Sequence, residues 1–224
     1  MSETEKRMAG DYEIVNSIHI GNKEVVLGIH KDHNCDGRYY CGYCDTNEIL
    51  ELYVDGAVSN NYPAIVKLFG ERIVDEAKEV IKQIELEKEI VGDDKELTKS
   101  DCTPITYEDN IVDKVVVIDG NILRPEYQRS SHQLVYVTGG NGANSNARGR
   151  KVFTKSLLNG QDNVFYRQDI IGIVDVEKLP KWAKEGYDSL YNICIMEELC
   201  TILALGGGAC HVDAEVVDHG CVAR

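Results

Sequence analysis

The chain has 224 residues, 43% of them hydrophobic and 28% charged, and a formal net charge of −14. Such a length supports one good core, and the composition is that of a folded protein. The acidic balance disfavours duplex DNA or an anionic membrane as the main partner, and no apolar run reaches the roughly 18–20 residues needed to cross a bilayer.

The opening residues Met1-Ser-Glu-Thr-Glu-Lys-Arg lack the apolar centre of a signal peptide, so a cytoplasmic location is expected. In that compartment the eight cysteines are reduced thiols that pack as small apolar residues. Two β-prone runs, 11–20 and 23–29, flank Gly21-Asn22 and predict a hairpin. A third strand follows at Arg38–Cys44 and a fourth at Ile49–Val54, completing a small meander.

The period then changes. Tyr62, Val66, Phe69, Ile73, Ala77, Val80 and Ile84 recur at spacings of three and four, one apolar stripe on a long helix. Ser59 and Asn60 are its capping candidates, Pro63 sits in the first turn and Gly92 closes it. From 71 to 113, fourteen Asp or Glu face six Lys or Arg. Two readings are open: a hydrated helix face running into a polar linker, or a surface of carboxylates that imitates a phosphate backbone.

Strand patterns resume at Val115–Ile118, Gln133–Thr138, Lys151–Leu158 and Asn163–Val174, with Asn159-Gly160 marking a second hairpin. Leu179-Pro180 opens a last helix reaching to about Leu205, where Gly206, Gly207 and Gly208 stop it. The expected fold is one α+β domain over 1–224: a mostly antiparallel sheet, one long amphipathic helix and a C-terminal helix. Within it lie a hairpin-plus-helix half (1–92), an acidic linker (93–110), a β-rich half (111–205) and a tail (206–224).

One segment differs chemically. Between Tyr127 and Gln161 there is no Asp or Glu, while Arg129, Arg148, Arg150, Lys151 and Lys155 are present. Its centre is the run Gly139-Gly140-Asn141-Gly142-Ala143-Asn144-Ser145-Asn146-Ala147-Arg148-Gly149-Arg150. Glycines let backbone amides approach an anion, and arginine forks grip phosphate or carboxylate with two prongs. Gly139, Gly140, Gly142, Asn146, Arg148, Arg150 and Arg167 are therefore the candidate ligand-binding residues. The run lacks the third glycine and the following helix of a dinucleotide fingerprint, and has no Gly-Lys-Ser/Thr phosphate loop. The structural alternative is a long turn whose arginines pair with the protein's own acids.

The order Gly139-Gly140-Asn141-Gly142-Ala143, Asn146-Ala147-Arg148-Gly149-Arg150, Val152, Leu158, Gly160, Arg167, Asp169, Gly172, Leu179-Pro180-x-Trp182-Ala183 resembles an uncharacterised accessory-protein family of conjugative and integrative mobile elements of gut Firmicutes. The likeness covers mainly 139–183, and extends loosely to the first hairpin and long helix. It implies an accessory role in mobile-element biology, and carries over no activity, fold, ligand or catalytic residue.

Other clusters offer alternatives. His30, His33, Cys35, Cys41 and Cys44 have the ligand types of structural zinc, but Cys41 and Cys44 on one strand point to opposite faces. No cofactor is predicted, with zinc the alternative there. Cys210, His211, Asp213, His219 and Cys221 lie in the tail, without a nucleophile-bearing turn around them. The twelve tyrosines suit half-buried sheet faces, or stacking surfaces for bases. Three functions are carried forward: a non-enzymatic binding or accessory protein that contacts an anion through the Gly/Arg-rich loop, an acidic decoy for a nucleic-acid-binding protein, and an enzyme acting on a phosphorylated small molecule.

Overall fold

Two antiparallel sheets, each wound from its own stretch of chain, make up the protein; its computed structural model describes residues 6–46 and 50–192. The chain clusters into two units that meet between Asp93 and Asp94, just past Gly92. Together the sheets and helices make an α+β protein. No described helix is long and apolar enough to cross a membrane.

The first unit is a meander of β1 (Met8–Ala9), β2 (Tyr12–Ile20), β3 (Lys23–His30), β4 (Tyr39–Thr46) and β5 (Glu51–Ser59), adjacent in that order. The hairpin expected around Gly21-Asn22 is present, and Gly21 supplies the positive φ (58°) of its turn. Helix α1 (Tyr62–Val91) lies on one face, where Ile65, Phe69 and Ile73 pack on Val25, Leu27 and Cys41. Its stripe therefore starts at Ile65, while Tyr62 and Val66 are exposed. The cap is Asn61, whose side chain accepts from the Ala64 amide at 3.2 Å. Ser59 and Asn60 are occupied elsewhere: Ser59 Oγ takes the Asn61 amide, and Asn60 Oδ1 takes those of Gly37 and Arg38. Gly92 (φ 73°) ends the helix as expected.

The opposite sheet face holds a charged pair. Glu24 is only 2% exposed, and the Arg7 guanidinium grips both its oxygens, at 2.5 and 2.6 Å. Arg7 Nε also reaches Glu51 at 2.9 Å. Beside this pair, the Tyr40 ring lies across Gly42 and Gly56, where any Cβ would collide with it.

The second unit contains β6 (Val115–Ile118), the single turn α2 (Ser130–Gln133), β7 (Leu134–Gly139), β8 (Lys151–Ser156), β9 (Asp162–Tyr166) and β10 (Ile170–Val174), with sheet order β10-β6-β7-β8-β9. The sequence pattern over 163–174 reads as one strand; the structure makes it two, because Arg167–Asp169 form a 3-10 turn in which the Asp169 carboxylate takes the Tyr166 amide. Those two strands are opposite edges of the sheet. A flat five-stranded sheet would separate its edges by about 19 Å, whereas the link from Tyr166 to Ile170 reaches at most about 14 Å. The sheet is therefore curled, around Ile111, Val116, Ile118, Val135, Val137, Val152 and Ile170. A helix over 181–192, α3, buries Leu179, Trp182, Ala183 and Leu190 and sets Tyr187 edge-on to Tyr136. Gly186 faces the Leu157 carbonyl so closely that a Cβ would overlap it. The expected extension of this helix to Leu205, its glycine stop and the tail cluster Cys210, His211, Asp213, His219 and Cys221 lie outside the described residues.

The acid-rich stretch after Gly92, expected as a linker, is bonded into the second unit. Asp94 accepts from the Ser131 amide and from the hydroxyls of Ser130 and Ser131 at 2.6–2.7 Å. The buried Gln133 side chain exchanges two hydrogen bonds with the Leu97 backbone and donates to Ile118 O. Thr103 bridges Ile173, an approach that Gly172 makes room for.

The Arg7–Glu24 pair sets a stability test. Its hydrogen bonds to Arg7 hold Glu24 below the usual carboxylate value of 4.5, so its contribution is complete above that pH and is lost as pH falls through the lowered value. Arg7→Ala strands a buried carboxylate and is expected to cost about 3 kcal/mol at pH 7. Urea unfolding of both proteins at pH 7 and pH 4 measures this; the deficit should shrink at the lower pH, where the stranded Glu24 takes up a proton.

Candidate anion-binding cleft

The loop joining β7 to β8 is held by its own glycines. A Cβ on Gly140 would sit 2.5 Å from Lys151 O, and one on Gly142 would sit 2.6 Å from the Arg150 backbone. Gly142 N donates to Lys151 O, and Asn141 Oδ1 accepts the Lys151 amide. A side chain on Gly149 would strike Asn141. Closure of the two arms onto each other accounts for these glycines, with no ligand needed. Gly139 is the last residue of β7, at an irregularity where it faces Phe153. Asn146 adopts a positive φ (52°), and its amide bonds Tyr107 O at 3.0 Å.

Arg167 is fully engaged inside the fold. Its guanidinium donates to three backbone carbonyls, those of Gly142 (2.8 Å), Thr106 (2.8 Å) and Asp109 (2.7 Å). Its backbone amide bonds Arg150 O at 2.8 Å. One planar fork thus ties the 106–109 segment to the glycine loop, as five fixed donors permit. Asp109 is in turn held below the usual carboxylate range by the Thr106 amide and hydroxyl, with Arg167 adding to the effect. Among the described residues no carboxylate bridges Arg167, whose guanidinium bonds three carbonyls, with the Asp109 carboxylate near enough to feel its charge.

Arg148 and Arg150 are different. Both are exposed, and neither makes an ion pair or side-chain hydrogen bond among the described residues. They line a cleft of about 610 Å³ together with Ile105, Thr106, Tyr107, Ala147, Gly149, Arg167, Gln168 and Ile170. That size lies inside the roughly 300–1,000 Å³ of small-molecule sites. No carboxylate, histidine, cysteine or lysine lines it. Of the seven residues singled out in the sequence, the structure brings Arg148, Arg150 and Arg167 to one cleft, and uses Gly139, Gly140, Gly142 and Asn146 to shape the loop behind it. The sequence reading missed Ile105, Tyr107, Ala147 and Gln168. Ile105 and Tyr107 sit in the acid-rich stretch, where nothing local marks them.

The five zinc-type residues do not converge. Cys41 is buried toward α1 and Cys44 lies in the cluster on the other sheet face, as strand alternation requires. Burial pushes the Cys41 thiol up, away from the thiolate a metal needs. His33 lies against the Arg38 guanidinium at 2.6 Å, His30 takes the Asp32 amide and Cys35 Sγ donates to Asp36 O. Among the described residues no three His, Cys, Asp or Glu side chains are placed to share a metal. Comparison with protein families, with characterised proteins and with solved structures gives no match.

The arrangement predicts that Arg167 is irreplaceable as a fork. Arg167→Lys, a point charge that cannot reach three carbonyls in one plane, should cost about 2 kcal/mol and loosen the loop. Hydrogen exchange reads it directly: the amides of Gly142 and Asn146 should lose protection, while those of β6 should keep theirs.

Proposed function

We propose that this is a non-enzymatic binding protein that holds an anionic ligand in the Arg148/Arg150 cleft. The observation that carries the reading is the pair of exposed guanidiniums with no internal partner, on a cleft wall free of carboxylates, in a chain of net charge −14. Elsewhere the acids are used at close range. Asp94, Asp101 and Asp109 take amides and hydroxyls, Asp113 takes the Tyr136 hydroxyl, and Glu71, Asp75 and Glu76 pair with lysines. These local roles leave fewer carboxylates for a phosphate-mimicking face, which favours the cleft over the decoy. The lining favours binding over turnover, since it offers no histidine, cysteine or carboxylate as acid, base or nucleophile. An accessory role in a mobile element is what the resemblance of 139–183 adds, and the packed thiols of Cys41 and Cys44 fit a reducing cytoplasm.

Inorganic tripolyphosphate titrated calorimetrically at low ionic strength tests the cleft. Saturable binding is expected, weakened at least about tenfold by Arg148→Ala/Arg150→Ala and progressively by added salt. Both side chains are exposed and make no ion pair or hydrogen bond among the described residues, so the melting temperature of the free variant should stay unchanged. Absent binding, or binding indifferent to the double substitution, refutes the reading.

A further inference from the structure

The cleft is not uniformly polar. Tyr107 lines it, 56% exposed, and two hydrogen bonds tie it to the loop. Its hydroxyl donates to Ala147 O at 2.7 Å, and its carbonyl accepts the Asn146 amide at 3.0 Å. A hydroxyl already bound to the loop is not available as a ligand donor. What remains available for contact is the ring, tied to the same loop that carries Arg148 one residue further on. The partly buried Ile105 and the largely buried Ile170 add apolar lining, and Gln168, also in the lining, has an amide with both donors and an acceptor. A bare inorganic anion would use the arginines alone and leave this surface wet. A tethered ring, aliphatic side chains and two exposed guanidiniums lining one cleft of about 610 Å³ suit a flat apolar body that carries negative charge.

We infer that the ligand is a free nucleoside phosphate, its base stacked on Tyr107 and its phosphates on Arg148 and Arg150. The inference rests on the anion-binding reading above and names the ligand class for the same cleft. Stacking on a preordered ring loses little entropy, because the Tyr107 side chain is already fixed. The Gln168 amide can hydrogen-bond a heterocycle edge, and guanidiniums match phosphate oxygens two at a time. A free nucleotide is favoured over a strand because a molecule of net charge −14 repels a long polyanion more than a short one.

The test compares nucleoside di- and triphosphates with tripolyphosphate and ribose 5-phosphate by calorimetry, on the full chain. At least one nucleotide is expected to bind about tenfold or more tighter than tripolyphosphate. Tyr107→Leu should weaken the nucleotide at least about tenfold more than it weakens tripolyphosphate, with an unchanged far-UV circular dichroism spectrum showing that the variant is folded. Tyr107→Phe, which keeps the ring, should retain most of the nucleotide's margin. If tripolyphosphate binds through Arg148 and Arg150 but no nucleotide exceeds it, or Tyr107→Leu has no effect on the nucleotide, this inference fails and the anion cleft stands. If neither phosphate binds, the cleft itself is refuted. Oligonucleotides of increasing length should bind no better than the mononucleotide; affinity climbing with length overturns the assignment to a free nucleotide.

Discussion

Three carbonyl oxygens, from Gly142, Thr106 and Asp109, converge on the Arg167 guanidinium, and the shape of the second unit around the cleft depends on that convergence. They come from two stretches more than thirty residues apart, 106–109 and the glycine loop, and none belongs to a strand of the sheet. Without a shared donor, those carbonyls would each need water or another partner. With it, the 106–109 segment, the glycine loop and the turn after β9 are held in one arrangement. That arrangement leaves an open space beside Arg148 and Arg150. A cation bonded to neutral dipoles keeps its positive field, so the clamp also contributes to the potential inside the cleft. A carboxylate partner would have held the loop as well, but would have cancelled that field.

The glycines reinforce the same geometry by a different route. Gly140 and Gly142 let the two arms of the β7–β8 connection approach to backbone contact, and Gly149 admits the Asn141 side chain that holds the Lys151 amide. Closed in this way, the loop has few conformations left, and Arg148 and Arg150 project from a fixed base. Preorganised side chains bind with a smaller ordering cost than side chains on a mobile loop.

Much of the fold was legible because it follows from short-range pattern. The Gly21-Asn22 hairpin, the meander, the long helix with its Gly92 stop and the strands at 115–118 and 151–156 each announce themselves by period or turn chemistry. What the pattern could not supply was long-range. The break at Arg167–Asp169 is invisible in a run of β-prone residues, since it is set by the Asp169 carboxylate capping Tyr166 and by the curl that carries β10 to the far edge. The helix cap shifted to Asn61 because Asn60 is recruited by Gly37 and Arg38, more than twenty residues away. The site divides in the same manner. Its arginines stood out against an acid-free background, whereas Tyr107 and Ile105 enter from an acid-rich stretch that only tertiary bonding brings to the cleft.

The residues that carry the mobile-element resemblance can be sorted by what the fold already asks of them. Gly140, Gly142 and Gly149 close the loop, Arg167 clamps three carbonyls, Asp169 caps a turn, Gly172 admits Thr103, Val152 fills the curled sheet, and Trp182 and Ala183 seat the last helix. Each has an internal partner that explains its chemical type. Arg148 and Arg150 do not. Their side chains are exposed and make no ion pair or hydrogen bond among the described residues, so packing and hydrogen bonding do not explain their chemical type. Where most of the singled-out residues have a packing or hydrogen-bonding role, these two exposed cations are what sets the proposed anion cleft apart from the rest of the loop.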